Sequence, residues 1–471
     1  MTVGTENEPL TSNAIHVYEG GLSIYAQEKG TGSLTAVSSL EIGKGIDVYN
    51  DKINEAVFLT INGGQVTAIG KYAIDVTISD KNRTGGIIIN GGKVTANGSL
   101  CGILASDNSR SGSQTIVTIN GGEVSSTSSI AIEGTDVIIT GGHFEAKNNH
   151  NSCDFNIFGY TSVIITGGQV EALGVTNSYR GETTLGWTDI DDYIQVGKYV
   201  EYDGKVVIPA GRYFLVDGTT TVFGSATADY VFTDEELTAI AGKKLIPALP
   251  IATGGVDYLA FTNGIGNWTL LGDEAQVYAV TGYNLTAGLV YLKPIEGNVV
   301  PKGMPVVIGN KNEGTALPAN IYLVGPDAQT KTVDGLLKGF VACDGSKTVQ
   351  DYLDESFGEG VSASDYIPYL LKGGSFKAVL VNAADVIKQD ICLLFIPKWD
   401  VLTGKRVGST NATRSIGIGE GGETTRIRPP LTPPTQEGKG CAQWYAMQGR
   451  RIEKPTRKGL YIRNGVKVVI K

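Results

Sequence analysis

Glu145 and Glu171 are the acidic side chains whose spacing invites chemistry. Each stands three residues after the second glycine of a pair, in Gly141-Gly142-His143-Phe144-Glu145 and Gly167-Gly168-Gln169-Val170-Glu171, so the two hold equivalent places in successive repeats. Earlier repeats carry Thr67, Thr95 and Ser125 at that place. Cleavage of a glycosidic bond uses a pair of carboxyl groups, or a metal with a base. No arginine or lysine base joins Glu145 and Glu171 as a pair, so no catalytic residue is assigned and the chain is read as a non-enzyme. Thr67, Thr95, Ser125, Glu145 and Glu171 instead form a regularly spaced polar row that a glycan could track, with Tyr160, Tyr179 or Trp187 as stacking rings. Trp187 competes for a place in a packed core. Asp189, Asp191 and Asp192 crowd enough oxygen for a hard cation, although a solvated turn is the simpler reading. His16, His143 and His150 and the cysteines at 101, 153, 343, 392 and 441 lack ligand or Cys-x-x-Cys spacing, so no metal site is expected and the cysteines read as small buried apolar residues.

These residues are placed by a tandem repeat with the core Asn/Thr-Gly-Gly-x-Val-x-Ala. Its second glycines fall at Gly64, Gly92, Gly122, Gly142 and Gly168, with a degenerate copy at Gly32. Irregular periods of this size mark a solenoid. Apolar residues alternate before the corner (Leu59/Ile61, Ile87/Ile89, Val117/Ile119, Val137/Ile139, Val163/Ile165) and resume after it (Val66, Val94, Val124, Phe144, Val170), which is the two-residue period of a strand with one buried face. A third apolar piece recurs at Ile74, Ile103, Ile132 and Ile157. Three short strands per coil predict a right-handed parallel β-helix. Asn62, Asn90 and Asn120 are expected to stack as an amide ladder at the corner and to tolerate a left-handed turn there.

The fold class expected is all-β: a parallel β-helix over 1–178, a β cap over 179–250, an antiparallel β-sandwich over 251–400, a Gly/Pro-rich linker over 401–437 and a small β unit over 438–471. Short helices are predicted near Thr233 to Ala241 and Val349 to Glu355. Residues 438–471 hold nine Lys/Arg and one acid, which leaves the remainder at −17 within a net charge of −9. So acidic a body excludes nucleic acid as a partner. No apolar run is long enough to span a membrane. Met1-Thr2-Val3-Gly4 shows no charged-then-apolar leader, so an export signal is expected to have been removed.

The tail, from Trp444-Tyr445-Ala446-Met447-Gln448-Gly449-Arg450 through Pro455-Thr456-Arg457-Lys458-Gly459-Leu460-Tyr461 to Lys467-Val468-Val469-Ile470-Lys471, resembles the C-terminal sorting segment of exported Bacteroidetes proteins. The resemblance implies a secreted or outer-surface protein handed to outer-membrane secretion machinery, with Gly449, Pro455, Gly459, Tyr461, Lys467 and Lys471 as sorting residues. The repeats, through Ala131-Ile132-Glu133-Gly134-Thr135-Asp136-Val137-Ile138-Ile139-Thr140-Gly141-Gly142, resemble a β-helical carbohydrate-binding family whose members take pectin-like polysaccharide with calcium. That family carries an Asp-Asp-Gly-Ile segment in each coil. Here the matching segments are Lys71-Tyr72-Ala73-Ile74, Leu100-Cys101-Gly102-Ile103 and Ser129-Ile130-Ala131-Ile132, without an acidic pair, so no cofactor is assigned. The function expected is non-catalytic binding of polysaccharide or host glycan at the cell surface. The alternatives are a stalk or adhesin contacting host protein, and behind it a β-helical lyase or glycoside hydrolase.

Overall fold

The computed structural model describes residues 1–5, 7–26, 32–51, 56–79, 83–107, 114–146, 155–172, 175–178, 181–197, 204–284, 288–312, 314–325, 337–398, 415–420, 444–446, 451–452, 459–463 and 466–470. The protein is all-β, and its first part is a β-solenoid of about five turns. Each coil hydrogen-bonds in parallel to the next, with like positions of the repeat in register. Gln65–Ile78 stacks on Ser33–Val37 through Val66↔Leu34, and Lys93–Asp107 stacks on it through Val94↔Val66. The ladder then runs Val124, Phe144, Val170 and Ile194. The five predicted inward residues, Val66, Val94, Val124, Phe144 and Val170, are at most 1% exposed. Burying such side chains contributes roughly 1.5–3 kcal/mol each, and no coil could do so alone.

The corner between the first two strands of a coil depends on glycine. The second glycine of each pair has φ between 82° and 89°, the left-handed region that costs L-residues most. Space excludes a side chain as well: a Cβ on Gly122 would meet the Gly92 carbonyl oxygen at 2.6 Å, and one on Gly121 the Asn90 oxygen at 2.8 Å. The asparagines beside them form the predicted ladder, Asn120 Nδ2 donating to Asn90 Oδ1 and Asn90 Nδ2 to Asn62 Oδ1, both at 2.8 Å, with Thr140 Oγ1 continuing onto Asn120 Oδ1. None of the three asparagines has positive φ. The left-handed conformation expected of them belongs wholly to the glycines.

Coiling continues past residue 178, where the repeat signature ends. Glu182–Leu185, Tyr193–Gln195 and Lys205–Ile208 still add in parallel, because a coil needs inward apolar residues at the right register and not the Gly-Gly corner itself. Antiparallel strands then take over: Lys244–Ala252 pairs with Tyr193–Gln195 and with Tyr213–Val216. Helix Asp234–Ile240, opened by a Thr233/Glu236 capping box, buries Leu237 and Ile240 against the same core. These elements close the solenoid's C-terminal end.

The expected sandwich is divided. Trp268–Leu270, Val299–Val300 and Asn320–Val324 join the sheet of the cap. The remaining strands form a nine-stranded sheet, whose second apolar layer lies under helix Val349–Phe357. Within the expected linker, Ser415–Glu420 is a strand of that sheet, parallel to Leu289–Leu292, with Ile418 buried. Cys101, Cys343 and Cys392 are buried and unbridged, as read; Cys153 and Cys441 lie outside the described residues.

Residues 426–471 form a separate compact unit. Its described strands, Trp444–Ala446, Arg451–Ile452, Gly459–Arg463 and Val466–Ile470, make one antiparallel sheet, with two residues between the last pair where a hairpin is expected. Gly459, Tyr461 and Lys467 are on these strands, while Gly449, Pro455 and Lys471 are outside the described residues.

Replacing Val124 by Asp should place an unpaired charge in the solenoid core and destabilise it by about 4 kcal/mol or more. Circular dichroism melting reads this directly, and an unaltered melt would contradict the register.

Candidate functional site

The third strand of each coil builds the face with the most varied chemistry. Ile46, Ile74, Ile103, Ile132 and Ile157 stack inward and are fully buried. Strand alternation turns the next residue outward, giving the row His16, Asp47, Asp75, Leu104, Glu133, Phe158. Two residues on, Tyr18, Tyr49, Thr77 and Ser106 form a parallel row.

At the N-terminal end of this face Lys44 sits between two carboxylates, its Nζ 2.8 Å from Asp47 Oδ1 and 2.5 Å from Asp75 Oδ2. Asp47 also accepts from Asn13 Nδ2 and lies 2.6 Å from His16 Nδ1, while Asp75 accepts from Thr77 Oγ1 at 3.1 Å. Both acids are nearly inaccessible, 3% and 2% exposed. Burial pushes the Asp75 carboxyl above its ordinary pKa, with Lys44 opposing and Asp47 adding to the rise. Burial alone would lower the Lys44 pKa, but Asp75 and Asp47 together hold it above the usual ammonium value. The consistent account is that one ammonium serves two carboxylates, so the cation is secured and Asp75 bears the cost of burial. Calcium does not fit here, because the lysine occupies the space between the carboxylates that a hard cation needs. Among the described residues no cluster of three or more His, Cys, Asp or Glu could hold a metal.

Further along, Glu133 is half-buried and its Oε1 accepts from Tyr160 Oη at 3.0 Å. Burial raises its pKa, with the tyrosine bond opposing and the more distant Asp75 adding. Tyr160 lies in a bulge between Gly159 and Ser162, packs edge-on against Phe158 at 4.8 Å and stays 52% exposed. A bulge re-aims a side chain, and this one presents an aromatic ring beside a carboxylate. At the other end Tyr18 stacks on Tyr49, ring centres 5.8 Å apart, and donates to Asp51.

The polar row expected from sequence is real but lies on the second strand of the coil. Thr67, Thr95, Ser125, Glu145 and Glu171 are register neighbours and half-buried. Tyr160 belongs to the other face. Trp187, expected as a platform or a core residue, is core: it is 3% exposed, donates Nε1 to the Tyr213 carbonyl and packs edge-on against Trp268. Tyr179 lies outside the described residues. The acidic turn is not merely solvated, since Asp192 is buried and accepts from the amides of Gly168, Thr188 and Asp189.

Glu171 has partners that its repeat did not disclose. Tyr193 Oη donates to it at 2.5 Å, and Lys244 Nζ lies 3.6 Å away and over the Tyr193 ring. The tyrosine bond, with Lys244, holds Glu171 below the ordinary carboxylate pKa. A general acid needs the opposite shift. Lys244 comes from the cap strand, so no spacing within the repeats pointed to it. His16, Lys44, Asp47, Asp75 and Glu133 were also missed as a set. The available signal was Ile-Asp-Val in two successive coils, at Ile46-Asp47-Val48 and Ile74-Asp75-Val76.

Comparison of the chain with family models, with curated proteins and with solved structures finds no match.

Replacing Lys44 by Met should leave Asp47 and Asp75 buried without their cation and destabilise the protein by about 3 kcal/mol at pH 7. A carboxyl whose folded pKa is raised takes up its proton at higher pH in the native state than in the unfolded one, so ionised Asp75 costs stability above that pKa and the cost fades below it. The penalty in Lys44→Met should therefore shrink between pH 7 and pH 4. Denaturant titrations at both values test this, and a penalty that grew on acidification would refute the network.

Proposed function

We propose that the chain is a non-catalytic, surface-exposed glycan-binding protein whose solenoid holds polysaccharide along the third-strand face. The observation that carries this reading is the pairing of exposed Tyr160 with the half-buried Glu133 carboxylate. Sugar recognition combines an aromatic ring that takes the C–H face with fixed polar groups that meet the hydroxyls, and both lie here within one hydrogen bond of each other. On this face Tyr18 is exposed as well as Tyr160, and rings on different coils suit a polymer. Binding without cleavage accords with Glu171 being held ionised and with Asp47 being nearly inaccessible and engaged by Asn13, His16 and Lys44.

The C-terminal unit is assigned the sorting role. Its basic charge against an acidic body and its separation as a compact unit support an address segment handed to secretion machinery.

Tyr160→Ala should keep the fold and weaken glycan binding about tenfold or more. Glycan-array screening followed by titration of the best ligand measures it, and undiminished affinity would remove the site from this face. Deleting residues 438–471 should leave a folded, soluble protein that no longer reaches the surface of its native host, whereas normal surface display would defeat the sorting role.

A further inference from the structure

We infer that the third-strand face takes a straight, extended glycan chain laid along the solenoid axis from Tyr18 to Tyr160, in preference to short or helical glycans; the inference rests on the glycan-binding reading and specifies the shape and length of its ligand. The outward row His16, Asp47, Asp75, Leu104, Glu133, Phe158 passes from coil to coil in five steps. Tyr18 stands two residues beyond His16, and Tyr160 two beyond Phe158. These rings are 47% and 52% exposed and mark the two ends of the face, about 24 Å apart at a coil spacing of about 4.8 Å. Two further tyrosines stand between them. Tyr49 is the register partner of Tyr18 and stacks on it. Tyr72, one coil further on, pairs in register with Lys44 and Cys101. Burial, with the Asp75 and Glu133 carboxylates, raises the pKa of the Tyr72 hydroxyl, which places that hydroxyl within electrostatic reach of both acids.

An extended glycan chain advances by nearly one coil spacing per sugar, so sugars and coils keep step and about six consecutive sugars cover the face. The rings meet the C–H faces of the sugars, and each end has a polar group for the hydroxyls. At the Tyr160 end this is Glu133. At the other it is His16, whose ring centre lies 6.2 Å from that of Tyr18 and whose side chain is 44% exposed, with Nδ1 held 2.6 Å from Asp47. The buried Lys44, Asp47 and Asp75 group takes no ligand; it fixes the strands under the tyrosines. Little ordering is then left for the moment of binding. A chain held at one end is presented to the other at high effective concentration, so affinity grows with length until both ends are engaged and then levels off. A helical glucan curls away from a straight row within a few sugars and engages only part of it.

The test is titration of the full chain with oligosaccharides of increasing length, from the disaccharide to about eight sugars, in four extended series (cello-, xylo-, manno- and galacturono-oligosaccharides) and in the helical malto- series. Affinity for at least one extended series should rise roughly a hundredfold or more from disaccharide to hexasaccharide and then level off, with maltohexaose at least about tenfold weaker than that hexasaccharide. Tyr18→Ala should lower affinity for the hexasaccharide about tenfold and bring the plateau to a shorter chain. A wild-type profile that is flat beyond the disaccharide, maltohexaose bound as tightly as the extended hexasaccharides, or undiminished hexasaccharide affinity in folded Tyr18→Ala would overturn the inference while leaving the glycan-binding reading intact. Binding of none of the five series would overturn both, and the wild-type profile decides the matter even if the variant fails to fold.

Discussion

In-register stacking of one coil on the next is the constraint from which the rest of this structure follows. Every backbone donor and acceptor of an interior strand must be met by the neighbouring coil, so the coils have to run parallel and present the same corner at the same place. Only glycine allows this at the second corner position, where φ is positive and the carbonyl of the previous coil stands where a Cβ would be. With that corner repeated, the asparagine amides come into hydrogen-bonding contact, and the inward valines close a continuous core without further instruction.

The same stacking explains why charge is found buried on an outer face. In a solenoid, equivalent side chains of successive coils lie about 4.8 Å apart, so aspartates at one repeat position are forced together. Asp47 and Asp75 would repel one another if left alone. Lys44 resolves the conflict by lying between them, and the pair becomes a fixed element of the fold rather than a reactive one. Glu133 sits beyond the reach of Lys44 and pairs only with a tyrosine hydroxyl among its described hydrogen bonds. It therefore keeps the acceptor capacity that its neighbours have lost, and this is why the proposed binding centres there.

A solenoid also has to end. The strands of the cap turn antiparallel, and Lys244–Ala252 ties the last coil to the following sheet. That junction supplies Lys244 to Glu171 and Tyr213 to the Trp187 indole. Residues that look like binding groups when the repeat is read by itself thus become joints between solenoid and cap.

The amino-acid sequence alone determined the all-β class, the corner, the inward ladder and the asparagine stack, because these depend on contacts that recur at a fixed spacing and so leave a periodic trace. It also marked both short helices, through their local pattern. It did not mark the end of the coiling, since Glu182–Leu185 and Lys205–Ile208 keep the stacking without the glycine signature. Nor did it show that Ser415–Glu420 would leave a Gly-rich stretch to enter a sheet, because its partners, Leu289–Pro294 and Ser375–Ala378, are strands it meets only in the folded sheet. The site was legible only in parts. Tyr160 could be picked out as an aromatic in the repeat region, but its bond to Glu133 arises from the coil-to-coil register together with a local bulge. The Lys44 network and the Glu171–Lys244 contact were decided by tertiary structure, because each joins residues whose closeness comes from stacking or from the cap and not from any distance along the chain.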